Sequence, residues 1–183
     1  MKTIRMILGA LLVTLGIGQL VAHADTPVQP TPPPAAQPTV QGMTADQLGK
    51  LLEGLGYQPQ AYKNKDGNVS GYSVKITDST GNWYMNFDLS KDGKRIWVTM
   101  DLTQIKDFSK VPAETLAKLF KENEQSNGYP YFAMYQDNWV VLELSENSNL
   151  LTPQWLRDDI EIVLNEAKKT EDLWTAKALG QIA

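Results

Sequence analysis

The chain has 183 residues and no cysteine. Disulfide bridges, thiolate nucleophiles, zinc ribbons and iron–sulfur clusters are therefore excluded together. Histidine occurs once, as His23, although imidazole is the usual general base near neutral pH and the commonest transition-metal ligand. Positive charge is sparse as well: 17 lysines and arginines stand against 21 acidic residues, for a net charge of -4. No basic field is available to neutralise a phosphate backbone, so nucleic acid is not an expected partner. Long apolar runs are missing except for one at the start of the chain. With 42% hydrophobic and 21% charged residues and a mean hydropathy of -0.32, the remainder has the composition of one ordinary soluble globular domain.

The one apolar run identifies an address. Lys2 and Arg5 precede an apolar stretch from Met6 to Val21, and Ala22-His23-Ala24 follows, just before Asp25. A charged start, an apolar middle and a small-x-small end form a signal peptide, residues 1–24, with cleavage after Ala24. The apolar stretch, about 16 positions, is shorter than the ~20 that a bilayer core requires. Cleavage removes Lys2, Arg5 and His23 and no acidic residue, leaving 15 basic residues against 21 acidic ones and no histidine. A Ser-His-Asp triad, a Cys-His dyad and a His-built metal site are then all unavailable. With no cysteine after the apolar run, no lipid anchor replaces it. The expectation is an exported protein, periplasmic or secreted, with no membrane span after signal cleavage.

From Asp25 to Gln41 the chain carries Pro27, Pro30, Pro32, Pro33, Pro34 and Pro38. Such a stretch lacks apolar bulk and backbone donors, and residues 25–42 read as an extended proline-rich linker of roughly 50 Å.

A single domain is expected over residues 43–174. Thr44 with Gln47 forms a capping box, and Met43 is placed to staple onto Leu48; Leu48, Leu51, Leu52 and Leu55 share one face, and Gly56 stops the helix. Three segments with period-two alternation follow: Tyr72, Val74 and Ile76; Trp83, Met85, Phe87 and Leu89; Ile96, Val98, Met100 and Leu102. Their connections, residues 78–82 and 90–94, are rich in turn formers, which predicts an antiparallel meander. Pro112 and Glu114 introduce a second helix with Leu116, Leu119 and Phe120 as its stripe, ended by Asn127-Gly128. Tyr129 to Tyr135 and Trp139 to Leu144 form a second hairpin. Thr152 and Pro153 then open a long helix with Leu156, Ile160, Val163, Leu164 and Ala167 inward. The fold class is α+β: helix, three-strand meander, helix, two-strand hairpin, helix, with the helices packed on a five-stranded antiparallel sheet. Residues 175–183 are a C-terminal tail that either extends the last helix or frays.

This element order resembles the YbjN-like family, which shares its fold with the type III secretion chaperones. The local likeness runs through Leu116-Ala117-Lys118-Leu119-Phe120, the Asn127-Gly128 break, the aromatic strand before Asp137, Val140 to Leu144, and Leu151-Thr152-Pro153. These are packing and turn residues, not a catalytic motif. The resemblance implies a small acidic protein that binds other proteins, often as a dimer, with no shared enzymatic activity. The secretion chaperones are cytoplasmic, whereas this chain carries an export signal, so only the architecture and the binding style are carried over.

Three groups of residues invite a chemical reading. Asp88-Leu89-Ser90-Lys91-Asp92-Gly93 matches the first half of a calcium loop, but the position of its bidentate Glu is Thr99, and Lys91, Lys94 and Arg95 bring positive charge to it. It reads as a hairpin turn. Asp158, Asp159 and Glu161, or Glu122 and Glu124, could pair for carboxylate-only hydrolysis, but they read as solvated helix surface. The third group is aromatic. If the strand faces above point at the helices, the opposite face carries Tyr84, Trp97, Trp139 and Val141 with Thr99 and Asp101 between them. Either the second helix, a second copy in a homodimer, or a ligand covers it. The sequence reading is an exported, non-enzymatic protein-binding module that uses no cofactor and no metal, with Tyr84, Trp97 and Trp139 contacting a protein partner. The alternative is a small-molecule or glycan-binding domain stacking sugars on the same rings.

Overall fold

The computed structural model describes residues 42–135 and 137–182. The signal peptide, its cleavage point and all of the proline-rich linker except Gly42 lie outside them. Helix α1 (Ala45–Gly54) starts at the expected capping box: the Gln47 backbone N–H donates to Thr44 Oγ1 at 3.2 Å, and the Thr44 N–H donates to Gln47 Oε1 at 2.8 Å. It ends in a Schellman motif, with the Tyr57 N–H donating to the Leu52 carbonyl and the Gly56 N–H to the Glu53 carbonyl. Gly56 adopts φ +90°, the left-handed conformation that closes such a motif.

The sheet has six strands: β1 (Gln60–Lys63), β2 (Val69–Asp78), β3 (Gly81–Leu89), β4 (Arg95–Gln104), β5 (Tyr131–Met134) and β6 (Trp139–Asn147). Their order is β1-β2-β3-β4-β6-β5 and every pairing is antiparallel. The expected five strands are all present, and β1 is the addition. It is a four-residue polar edge strand, Gln-Ala-Tyr-Lys, with no apolar alternation to announce it. Helices α1 and α3 (Pro153–Lys169) cover one face. Leu48, Leu52, Leu156, Ile160, Val163 and Ala167 meet Val74, Met85, Phe87, Ile96, Val98, Met100, Leu142 and Leu144 there. This is the face expected from the period-two pattern. Each fully buried Leu, Ile or Phe contributes roughly 1.5–3 kcal/mol to it.

Helix α2 (Ala113–Gln125) lies on the same side, at the β5 end, where Leu119 joins Ile105, Val140, Leu173 and Leu179 in a second small core. Its expected stripe is corrected at one position: Leu119 is buried, but Phe120 is 72% exposed. Phe120 lies on the far side of Leu116 from Leu119 around the helix, and the contact is too narrow to reach it. Asn123 docks the helix on the sheet edge. Its Oδ1 accepts from the Phe132 N–H at 2.6 Å and its Nδ2 donates to the Phe132 carbonyl at 3.0 Å, replacing a missing strand neighbour.

The segment after α4 (Glu171–Trp174) neither continues the helix nor frays. Leu179 is completely buried, and Gln181 accepts from the backbone N–H groups of Lys106 and Asp107 and donates to the Asp107 carbonyl. Gly180, at φ +67°, lies so close to the Lys110 carbonyl that a Cβ there would overlap it. The sequence reading missed this strap because one leucine and one glutamine carry no periodic signal.

Residues 88–93 lead into the β3–β4 turn, as expected. Asp92 Oδ1 is used within the turn, accepting from Ser90 Oγ at 2.6 Å and the Lys94 N–H at 3.2 Å, while Asp88 lies back on the sheet. Gly93 at φ +68° lies against Met43, whose N–H donates to the Gly93 carbonyl at 2.8 Å. Among the described residues no helix is long and apolar enough to cross a membrane.

Candidate functional site on the uncovered face of the sheet

Strand alternation and register define the second face. One row across it reads Gly71, Asp88, Trp97, Ser145, and the next reads Ser73, Asn86, Thr99, Glu143, Tyr131. Among the described residues no helix lies over these rows, because α1, α2 and α3 are all on the other side. The second helix, α2, therefore does not cover the aromatic face.

This face nevertheless has a buried centre. Thr99 and Glu143 are only 2% and 7% exposed. The Tyr135 hydroxyl donates to Glu143 Oε2 at 2.5 Å and lies 3.5 Å from Thr99 Oγ1, while the Tyr131 hydroxyl donates to Glu143 Oε1. Two hydroxyl donors on one carboxylate satisfy a charge that would otherwise be expensive to bury. Burial, then the bond to Glu143, pushes Tyr131 up to about 12 and raises Tyr135 further. Both hydroxyls therefore keep their protons and remain donors at neutral pH.

Beside this clasp is a concavity of 360 Å³ lined by Tyr62, Asn86, Asp88, Asp101, Tyr135, Asp137 and Trp139. Three aromatic side chains and three carboxylates meet there, and among the described residues no lysine or arginine lines it. Tyr62 lies against Gly71, the only residue type that leaves room for its ring, and its buried hydroxyl makes no hydrogen bond of acceptable geometry. Burial raises the Asp88 carboxyl; the neighbouring Tyr62 hydroxyl opposes the rise and Glu143 adds to it. Asp101 is raised by burial too, against the Asn86 Nδ2 that donates to it at 3.0 Å, with Asp137 and Asp88 pushing it further. Two acids do converge here, as carboxylate hydrolysis requires. Their environments move both in the same direction, however, instead of separating an acid from a base. What the arrangement can do is attract a cation or hydrogen-bond a polyhydroxyl ligand against a ring.

Tyr84, Trp97 and Trp139 all lie on this face. Tyr84 is 56% exposed opposite Lys75, Trp97 is half-buried between Asp88 and Ser145, and only Trp139 lines the concavity. The sequence reading named as site residues neither Tyr135, although the Tyr131, Ala133, Tyr135 alternation would have placed it on this face, nor Tyr62, because β1 carries no such signal. The acids proposed for pairing are dispersed: Glu122 lies 3.4 Å from Lys169, Glu124 and Glu161 are exposed, and Asp158 and Asp159 lie together near Tyr129. Asp159 is not solvated surface, being 4% exposed. Another concavity, 720 Å³ between the turns at residues 64–70 and 89–93, has among the described residues no aromatic ring and no unpartnered buried group.

No family model matches the chain, and no curated protein matches it. Solved structures do. A chain of the ExsC–ExsE complex is 14% identical, with 72% of this chain and 96% of that one covered at a TM-score of 0.51. A chain of the heterodimeric ExoU–SpcU complex from the type III secretion system of Pseudomonas aeruginosa is 12% identical, with 69% and 97% covered at a TM-score of 0.50. The fold is that of the type III secretion chaperones. YbjN from E. coli also aligns, at 15% identity over 70% of this chain and 94% of that one, with a TM-score of 0.42. At these identities the likeness concerns the fold alone, and function rests on the residues above.

Proposed function

We propose that this chain is an exported, non-enzymatic protein-binding module that uses the uncovered sheet face to hold a basic segment of a partner protein. The observation that carries the reading is the concavity where Asp88, Asp101 and Asp137 meet Tyr62, Tyr135 and Trp139 with no cation among its lining residues. A lysine or arginine side chain would supply both the missing charge and a cation for the rings. Tyr84 and Trp97 extend the contact along the face. Solved relatives with this fold are complexes of two proteins, and the export reading is supported by the Lys2 to Ala24 pattern. A second copy is the less favourable occupant, since among the described residues the face it would bring carries only Lys75 and Arg95 against Asp88, Asp101, Asp137 and Glu143.

The test is to pan displayed random peptides on the protein. Lysine- and arginine-rich sequences should be enriched, their binding should weaken with salt, and Trp97→Ala, Trp139→Ala and Asp88→Asn should each reduce it. Enrichment of uncharged sequences, or binders indifferent to all three variants, would count against the reading. Light scattering addresses the homodimer: a dimer that Trp97→Ala dissociates would make the second copy the occupant and displace the basic segment. One observation favours the glycan alternative, the presence of Asn86 and two aspartates beside Trp139 in one concavity. Saturable binding of an oligosaccharide, abolished by Trp139→Ala, would establish it.

A further inference from the structure

On the helix side of the sheet, away from the face just described, Tyr129, Glu146, Trp155, Asp158 and Asp159 line a separate cavity of 390 Å³. Its chemistry is unbalanced. The Tyr129 hydroxyl lies 2.5 Å from Asp159 Oδ1 and 2.9 Å from Glu146 Oε1. A phenol has one proton, so it can donate to only one of the two carboxylates at a time. Asp159 Oδ2 is buried and accepts no hydrogen bond at all. Asp158 is already engaged by Gln154 Nε2, at 2.7 Å. Among the described residues neither Asp159 nor Glu146 has an ion-pair partner. A carboxylate 4% exposed with one oxygen unpartnered is a costly feature for a fold to retain.

The rest of the cavity wall is suited to the group that would relieve it. Trp155, 51% exposed, lines the same cavity, and an indole ring attracts a cation. Burial holds the Asp159 carboxyl above its ordinary range; the Tyr129 hydroxyl opposes this, and the charges of Glu146 and Asp158 add to it. None of the groups acting on Asp159 is cationic.

We propose that this cavity is a binding site for an organic cation carrying N–H donors, a guanidinium or a primary ammonium, which would bond to Glu146 and to the Asp159 carboxyl, a rotation of that carboxyl bringing its unpartnered oxygen to the cavity, while lying against Trp155. Guanidinium has five donors and ammonium three, and neither has an acceptor, which matches a site with surplus acceptors. The inference is independent of the sheet-face reading, because the two sites share no residue.

The experiment follows the Trp155 indole N–H resonance of the full chain, assigned with Trp155→Phe, during titration with ethylguanidinium, n-butylammonium and tetramethylammonium. Ethylguanidinium and n-butylammonium should give saturable shifts, with dissociation constants on the order of millimolar for ligands of so few atoms. Asp159→Asn should weaken both at least ~10-fold, equivalent to about 1.4 kcal/mol, and Glu146→Gln should weaken them less. Tetramethylammonium, which has no N–H, should bind far more weakly than either. An arginine-containing peptide that binds more tightly than ethylguanidinium would identify the natural group as a protein side chain, and the reverse order would identify a free small cation; both outcomes uphold the site. Absence of a saturable shift, shifts unchanged in Asp159→Asn, or tetramethylammonium binding as well as n-butylammonium would each overturn the proposal.

Discussion

On the helix side of the sheet, Met85, Phe87, Ile96, Val98 and Leu144 are buried by α1 and α3, and no polar group needs to be satisfied among them. On the other side Thr99 and Glu143 are nearly as buried, at 2% and 7% exposure, yet among the described residues no secondary structure lies over them. Side chains reach them instead: the Tyr131 and Tyr135 hydroxyls both donate to the carboxylate, and that of Tyr135 lies 3.5 Å from Thr99 Oγ1. One face is closed by elements and the other by side chains. Apolar packing depends on the amount of surface removed from water and tolerates many sequences, whereas the polar clasp depends on each partner being present. The first face makes the fold by apolar burial; the second holds a polar clasp.

That contrast can be broken at its strong end first. Phe87→Ala, removing the largest of the completely buried side chains, should cost about 3–5 kcal/mol in chemical denaturation. A loss below ~1 kcal/mol would mean the helix face is not the core. Next, Glu143→Leu should cost about 1–3 kcal/mol, because two tyrosine hydroxyls lose their acceptor, while Glu143→Gln should recover part of the loss by accepting from one of them. Equal stability for Leu and Gln would show that the clasp is only packing.

Asp88→Asn sharpens the comparison through pH. Burial raises the Asp88 carboxyl above its unfolded value, so the native state holds the proton more tightly and ionisation costs stability as pH rises through the carboxylate range. Asparagine should therefore match wild type in acid and exceed it at neutral pH, by less than about 1 kcal/mol after allowance for solvent screening. An advantage at acid pH instead would reverse the assignment. The smallest effect belongs to Tyr84→Ser, which should change stability by no more than about 0.5 kcal/mol while weakening partner binding. A large loss of stability would show that this end of the uncovered face is structural.

How much of this was legible depended on period and burial. The helix-side face was readable because alternation at Val74, Met85, Phe87, Ile96 and Val98 is a direct record of which side faces apolar surface. The capping box at Thr44 and the Thr152-Pro153 start were readable because caps are satisfied locally. β1 was not, since a short polar edge strand is specified by the pairing available along β2 and not by its own residues. The strap at Leu179 and Gln181 escaped for the same reason. Of the candidate site, Tyr84, Trp97 and Trp139 followed from the register, whereas Tyr62, Asp88 and Asp101 gathered around Trp139 only when the strands were laid side by side.

The sequence by itself determined the chemistry this protein lacks, the α+β order of its elements and the face of the sheet that meets the helices, because composition and hydrophobic period are properties of the chain alone. The tertiary structure decided which side α2 took, which acids converged in the 360 Å³ concavity, and that Asp159 would be buried with an oxygen unpartnered. Those outcomes depend on residues far apart in the chain meeting at distances of a few ångströms, and no local pattern encodes such distances.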